Sequence, residues 1–189
     1  MKQSAESRQP EMLLKPIGIV RTELSELPLA LRDGDLELRP EIMAAISKEN
    51  ISELIFSQDF VECLNGIEEF SHIMVLYWAH KISADGRHLT KVHPAGRKDY
   101  PLVGVFATRS PARPNLICVT TVELLERKGN VLKVKGLDAV NGSPLIDIKP
   151  YLPYSDAPLN VKLPDWIKSL TSYFSSLRQK YTKKADTNE

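Results

Sequence analysis

The chain reads as mainly β, a barrel or curled sheet with helical decorations. Three observations predict this: short segments rich in β-branched and aromatic residues recur along it, few stretches carry a helical period, and no βαβ alternation is present. Strands are expected at Ile17–Val20, Glu53–Phe56, Ile73–Trp78, Leu102–Ala107, Ile117–Leu125 and Val131–Val134. Lys128-Gly129-Asn130 separates the last two and predicts a hairpin turn. Residues 40–50 open with Pro40 and set Ile42, Met43 and Ile46 at turn spacing, which predicts a helix. Residues 165–181 predict a longer one: Trp166, Ile167, Leu170, Tyr173, Phe174, Leu177 and Tyr181 recur at steps of three and four behind Asp165 as a cap. That stripe is expected to face the core, with a partner interface as the alternative. Residues 1–11 are expected to be a disordered lead, 12–181 a single domain, and 182–189 a flexible tail.

Composition narrows the function classes. With 189 residues, one domain with a sizeable core is expected. A net charge of +1 provides no overall basic field, so any nucleic-acid surface must be a local patch. Cys63 and Cys118 lie in apolar surroundings and read as reduced core residues. No C-x-x-C or H-E-x-x-H spacing occurs, so no metal site is expected. No apolar run is long enough to span a bilayer, and the polar start MKQSAESRQPE lacks a signal-peptide core, so a cytoplasmic protein without membrane partners is expected. With nine glycines and neither a dinucleotide fingerprint nor a phosphate-binding loop, any nucleotide-like ligand must be held by another architecture.

The segment GVFATRSPARPN, residues 104–115, is the most informative. An apolar strand turns there into Thr108, Arg109, Ser110, Arg113 and Asn115, stiffened by Pro111 and Pro114. Arginine suits carboxylate or phosphate because its planar fork donates paired hydrogen bonds and keeps its charge. A solvated turn with incidental arginines is the bland alternative. The polar loop 83–101 holds His88, His93, Arg87, Lys91, Arg97 and Lys98 and is the best basic patch, readable as an RNA-backbone contact or as a solvated loop. Asp147 and Lys149 alternate with Ile146 and Ile148, which puts both on one face of a strand, as site residues or as a surface ion pair.

GVFATRSPARPN, the earlier GIEEFSHIMVLYWAHK (66–81) and the later LDAVNGSPLIDIKPYLPYSD (137–156) resemble the three signature blocks of the TrmO (YaeB, TsaA-like) family. The opening IGIVRTEL (17–24) resembles its first strand, so the likeness runs from residue 16 to 170. The resemblance implies a small single-sheet β-barrel, working as a homodimer with S-adenosylmethionine near the subunit interface. It implies methyl transfer to N6 of threonylcarbamoyladenosine beside the anticodon of tRNA. A non-catalytic cofactor-binding or regulatory module of the same fold, or a methyltransferase for another small substrate, are the alternatives. The resemblance also implies that members of this length end soon after the DIKPY block.

Site residues follow from the matched blocks. His80, Lys81, Arg109 and the loop Asp138, Asn141, Gly142, Ser143, Pro144 and Leu145 are implied as cofactor contacts. Arg113, Asn115, Lys149 and Tyr151 are implied as substrate contacts; Arg97 and Lys98 join them as the RNA-contact candidates of the basic loop, and His72, beside Ser71, reads as a structural hydrogen-bonder packed beneath the site. The sequence singles out no catalytic base; Asp138 and Asp147 are candidates. The family's D-x-x-D-G-T-P block carries Asn141 and Ser143 here, its N-P-I-G reads Asn115-Leu116-Ile117-Cys118, and LPLALRDGDLELRPE (27–41) replaces its P-R-Q loop.

Overall fold

The structure is a computed structural model that describes residues 12–32, 35–46 and 49–185. Its strands are β1 (Gly18–Arg21), β2 (Leu29–Arg32), β3 (Asp35–Leu38), β4 (Ile51–Phe56), β5 (His72–Trp78), β6 (Lys91–Val92), β7 (Val103–Gly104), β8 (Ile117–Lys128), β9 (Val131–Lys135) and β10 (Pro144–Pro150). Helices are α1 (Pro40–Ala45), α2 (Pro153–Asp156) and α3 (Asp165–Ala185). Six strands close an antiparallel barrel in the order β1-β10-β5-β8-β9-β4, as expected of a small single-sheet barrel. The 1–11 lead and residues 186–189 of the expected tail lie outside the described residues, while α3 continues to Ala185.

Alternation fills the barrel. Leu54 and Phe56 on β4, Ile73, Val75 and Tyr77 on β5, and Leu132 and Val134 on β9 point inward and are buried, so the interior is a packed core rather than a channel. β8 achieves closure: its first half pairs with β5 (Trp78 opposite Ile117), and its second half with β9 (Lys128 opposite Val131). A register irregularity between Leu124 and Glu126 supports the bend. The expected turn forms at Gly129, with φ +59°, and Asn130 Nδ2 donates to the Phe56 carbonyl at 2.7 Å. Gly18 allows β1 to approach β4, because a Cβ there would lie 2.2 Å from the Ile55 oxygen.

The two ends of the barrel differ. Beyond β4, short helical turns over 58–69 carry Leu64 and Ile67 against the core and plug one mouth. At the other mouth converge the end of β1, the end of β5, the start of β8 and the β9–β10 connection. A satellite lobe stands beside it, made of ribbons β2–β3 and β6–β7 over a second small core of Leu36, Val92, Val105 and Ala112.

Several expectations change. Within the 27–41 segment, Leu29–Arg32 and Asp35–Leu38 pair as ribbon β2–β3, which no strand signal predicted. Of Leu102–Ala107 only Val103–Gly104 pairs as a strand; Val105–Ala107 turns helically because the Thr108 N–H and hydroxyl both donate to the Val105 carbonyl. Cys63 is exposed and Cys118 half-buried, so Cys63 is not a core residue. The α3 stripe packs on α1 and buries Leu177, with the others half-buried and the Tyr181 side chain outside the described residues.

Candidate functional site

The open mouth gathers the polar ends of the three signature segments. His80 follows β5 directly, and its Nδ1 lies 3.4 Å from the Ser143 hydroxyl, at the long end of hydrogen bonding. Ser143 is fully buried, and Gly142 beside it has φ +79°, with His80 Nε2 3.9 Å from where its Cβ would stand. Partial desolvation, then the Lys81 charge, hold the His80 imidazole below its ordinary value, which disfavours its charged form.

The loop from Asp138 to Ser143 is tied to its surroundings at both ends. Asn141 Oδ1 accepts from the Thr22 N–H at 3.2 Å, the Asn141 N–H donates to the Leu24 carbonyl at 2.7 Å, and the Gly142 N–H to Val20 at 2.8 Å. At the other end, the Tyr77 hydroxyl donates to Asp138 Oδ1 at 3.0 Å and the Thr120 hydroxyl to the same oxygen at 2.5 Å. Burial, reinforced by the neighbouring Asp138 charge, pushes the Tyr77 phenol far above its ordinary value and the Cys118 thiol up to about 11. Tyr77 therefore stays a donor and Cys118 a neutral thiol. Leu145 is fully buried in the barrel core and Pro144 half-buried at the start of β10.

The arginine loop is internally braced. The Ala112 N–H donates to the Ser110 hydroxyl, the Ser110 N–H to the Thr108 hydroxyl, and Arg113 Nη2 to the Thr108 carbonyl at 3.1 Å. Arg113 Nε is buried with no partner, whereas Arg109 is exposed and forms no hydrogen bond or ion pair among the described residues. Asn115 is exposed next to β8. Lys81 donates to the Ser25 carbonyl at 2.5 Å and lines a cleft of about 370 Å³ with Glu26, Leu29, Arg39, Ile82 and Ala112. The β2–β3 segment thus forms one wall beside the mouth.

Other predicted residues lie elsewhere. Register places Lys149 opposite Met74 and Pro150 opposite Ile73, so Lys149 and Tyr151 stand toward the plugged mouth, away from His80 and Ser143. Asp147, opposite Leu76, forms a half-exposed ion pair with Lys149 at 2.7 Å. His72 is exposed at that same end, 3.0 Å from the Ser71 hydroxyl, rather than packed beneath the site. Arg97 is engaged by Asp99 and stacks over Tyr100 and Tyr173, at 5.0 and 4.2 Å, which ties loop 83–101 to α3. Lys98 is exposed and unpaired among the described residues. Sequence reading missed Tyr77 and Thr120. Their signal was a hydroxyl at an inward or half-buried strand position, which needs a partner.

Residues 40–157 match the family described as tRNA-methyltransferase O N-terminal domain. The chain belongs to the TrmO family. A protein of Archaeoglobus fulgidus named a probable S-adenosyl-L-methionine-binding protein is 41% identical over 150 residues, 79% of this chain and 37% of that relative. The human tRNA (adenine(37)-N6)-methyltransferase is 41% identical over 104 residues, 53% of this chain and 22% of that enzyme. A crystal structure of TrmO from Pseudomonas aeruginosa superposes with a TM-score of 0.62 at 27% identity, covering 85% of this chain and 64% of that one. The chain thus spans less than two thirds of the length of each of these three proteins. No group of three or more His, Cys, Asp or Glu able to hold a metal occurs among the described residues. No described helix is long and apolar enough to cross a membrane.

Proposed function

We propose that this TrmO-family chain binds S-adenosylmethionine at the open mouth and methylates N6 of threonylcarbamoyladenosine in the anticodon-loop region of tRNA, as a cytoplasmic homodimer. The observation that carries the reading is the convergence of the TrmO signature segments at one barrel mouth, through the His80–Ser143 contact and the anchored Asp138–Ser143 loop. The residues there fit the cofactor. Asp138 Oδ2 has no donor among the described residues and suits an ammonium or a hydroxyl, and the unpaired Arg109 suits the carboxylate. Gly142 leaves room in front of His80, and a His80 ring whose charged form is disfavoured limits repulsion of a sulfonium.

When bound, S-adenosylmethionine supplies an electrophilic methyl group on a positively charged sulfur. The chain's own contribution is alignment: the 138–143 loop, pinned to β1, β5 and β8, fixes the acceptors before binding and so limits the entropy lost on binding. Arg113 and Asn115, with Lys98 on the neighbouring lobe, provide the donors for the substrate side. Lys149, Tyr151 and Arg97, at the plugged mouth or already engaged, enter this reading only as outer RNA contacts.

The second reading, a cofactor-binding module without turnover, draws on one specific observation. Both candidate bases are already engaged, Asp147 by Lys149 and Asp138 by Tyr77 and Thr120. A transfer assay separates the two, using methyl-labelled S-adenosylmethionine with tRNA that carries threonylcarbamoyladenosine and tRNA that lacks it. Label on the modified tRNA alone, abolished by Arg109→Ala in a folded protein, is the expected result. Cofactor binding without label on either tRNA would select the module.

A further inference from the structure

Asp138 differs from the other carboxylates near the mouth in how it is held. Tyr77 rises from β5 and Thr120 from β8, and their hydroxyls converge on one oxygen, Oδ1, at 3.0 and 2.5 Å. The strands themselves are in fixed register, with Val75 opposite Thr120 and Tyr77 opposite Cys118, so both donors are set by the barrel wall. Tyr77 is buried and Thr120 half-buried, whereas Asp138 is exposed. Two donors on a single oxygen stop the carboxylate from rotating and leave Oδ2 without a partner among the described residues. Two hydroxyls spent on a surface carboxylate are more than loop anchoring needs, because the backbone bonds of Gly142 to Val20 and of Asn141 to Leu24 already tie this loop to β1 and the residues that follow it.

We infer that Tyr77 and Thr120 are positioning residues, which hold Asp138 so that Oδ2 is a fixed acceptor for an N–H or O–H donor of the bound cofactor. The inference rests on the proposed cofactor site and adds the residues that orient it. The role requires an acceptor at Oδ2 and donors at Oδ1, and each requirement has its own substitution. Asp138→Asn keeps a carbonyl oxygen for Tyr77 and Thr120 but places an NH2 donor where the acceptor stood. Tyr77→Phe and Thr120→Val each remove one donor, and Thr120→Ser retains it.

S-adenosylmethionine binding is measured by calorimetry on the full chain, with thermal melts of every variant. The expected result is about tenfold weaker cofactor binding for Tyr77→Phe and for Thr120→Val, near wild-type binding for Thr120→Ser, and a larger loss for Asp138→Asn, whose melt stays near wild type. Once transfer is measurable, the cofactor KM rises while the tRNA KM holds. Variants that bind as the wild type does would overturn the inference and leave the cofactor site standing. Lowered melting of Tyr77→Phe and Thr120→Val with unchanged affinity would also overturn it, as a structural role only. Should Tyr77→Phe fail to fold, the half-buried Thr120 pair of substitutions decides. A wild-type chain that does not bind S-adenosylmethionine would overturn the cofactor reading itself, and this inference with it.

Discussion

Replacing Arg127 with methionine should destabilise the barrel more than any substitution at an exposed ion pair. The guanidinium sits at the end of β8, with its side chain 17% exposed, and donates to five acceptors. Nη1 reaches the Leu64 carbonyl at 2.9 Å and Glu68 at 3.1 Å, while Nη2 reaches Asn65 at 3.1 Å and the Val61 carbonyl at 3.4 Å. Nε reaches the Gly129 carbonyl at 3.3 Å. The segment it clamps, residues 58–69, is a run of short helical turns with few bonds of its own, and it carries Leu64 into the core. Counting the shorter bonds at about 1 kcal/mol each, since water partly replaces them, gives a loss of about 3 kcal/mol. For a chain of this size that corresponds to a fall in Tm of roughly 6–12 °C.

Calorimetric or circular-dichroism melts test this, with Arg127→Lys and Glu68→Gln alongside. Lysine keeps the charge but not the fork, so it should recover less than half of the loss. Glu68→Gln removes one half-exposed partner and should shift Tm by less than about 2 °C. An Arg127→Met protein that melts within about 2 °C of wild type would refute the reasoning, because the clamp would then be ornamental to the plugged mouth.

Other outcomes follow from the same structure. Gly96→Ala should destabilise by about 2–4 kcal/mol and loosen the satellite lobe, since its Cβ would meet the Leu36 carbonyl at 2.2 Å and its φ is +67°; melts and limited proteolysis check this. Burial alone would raise the Asp35 carboxyl, but the His93 side chain, 2.6 Å away, and the Leu36 and His93 N–H groups bring it below the usual range. Its folded value lies below its unfolded one, so the stability it adds is present above about pH 4 and is lost as pH falls through the folded value; Asp35→Asn should flatten that limb of the Tm–pH curve. Toward a thiol reagent at pH 8, exposed Cys63 should react fast and Cys118, with its thiol pushed up to about 11, slowly. Lys98→Glu should weaken tRNA binding and lower its salt dependence by about one counterion, whereas Arg97→Ala should chiefly lower Tm by freeing α3.

The barrel was legible in the sequence where a strand buries one face. Glu53–Phe56, Ile73–Trp78 and Val131–Val134 are rich in β-branched or aromatic residues, each appears in its expected place, and their burial alternates once the barrel has formed. Ribbon β2–β3 was not legible. LALR and DLEL alternate too briefly, and what holds them is distant: Asp35 on His93, and Leu36 against Val92 and Val105. Leu102–Ala107 misled for the opposite reason, since its apolar composition suits a strand but the Thr108 hydroxyl captures the Val105 carbonyl and turns the chain.

For the site, residue type was legible and position was not. The polar residues of LDAVNGSPLIDIKPY read as one block, yet a strand separates its two halves. Asp138 to Ser143 stand at the open mouth, while Lys149 and Tyr151 stand toward the plugged one, because each residue of β10 carries the chain roughly 3.3 Å further along the barrel. A motif that runs the length of a strand therefore serves two ends of a barrel, and only the register against β5 tells which residue serves which. The same register shows why Tyr77 escaped notice as a polar residue. It sits inward among Ile73 and Val75 as an apolar side chain would, and its hydroxyl gains meaning only when the fold brings Asp138, far away in sequence, within reach. Chemistry placed at the end of an inward-facing strand is in this sense invisible to local pattern. The closed barrel creates it by bringing the β9–β10 loop back over the wall that β5 and β8 form.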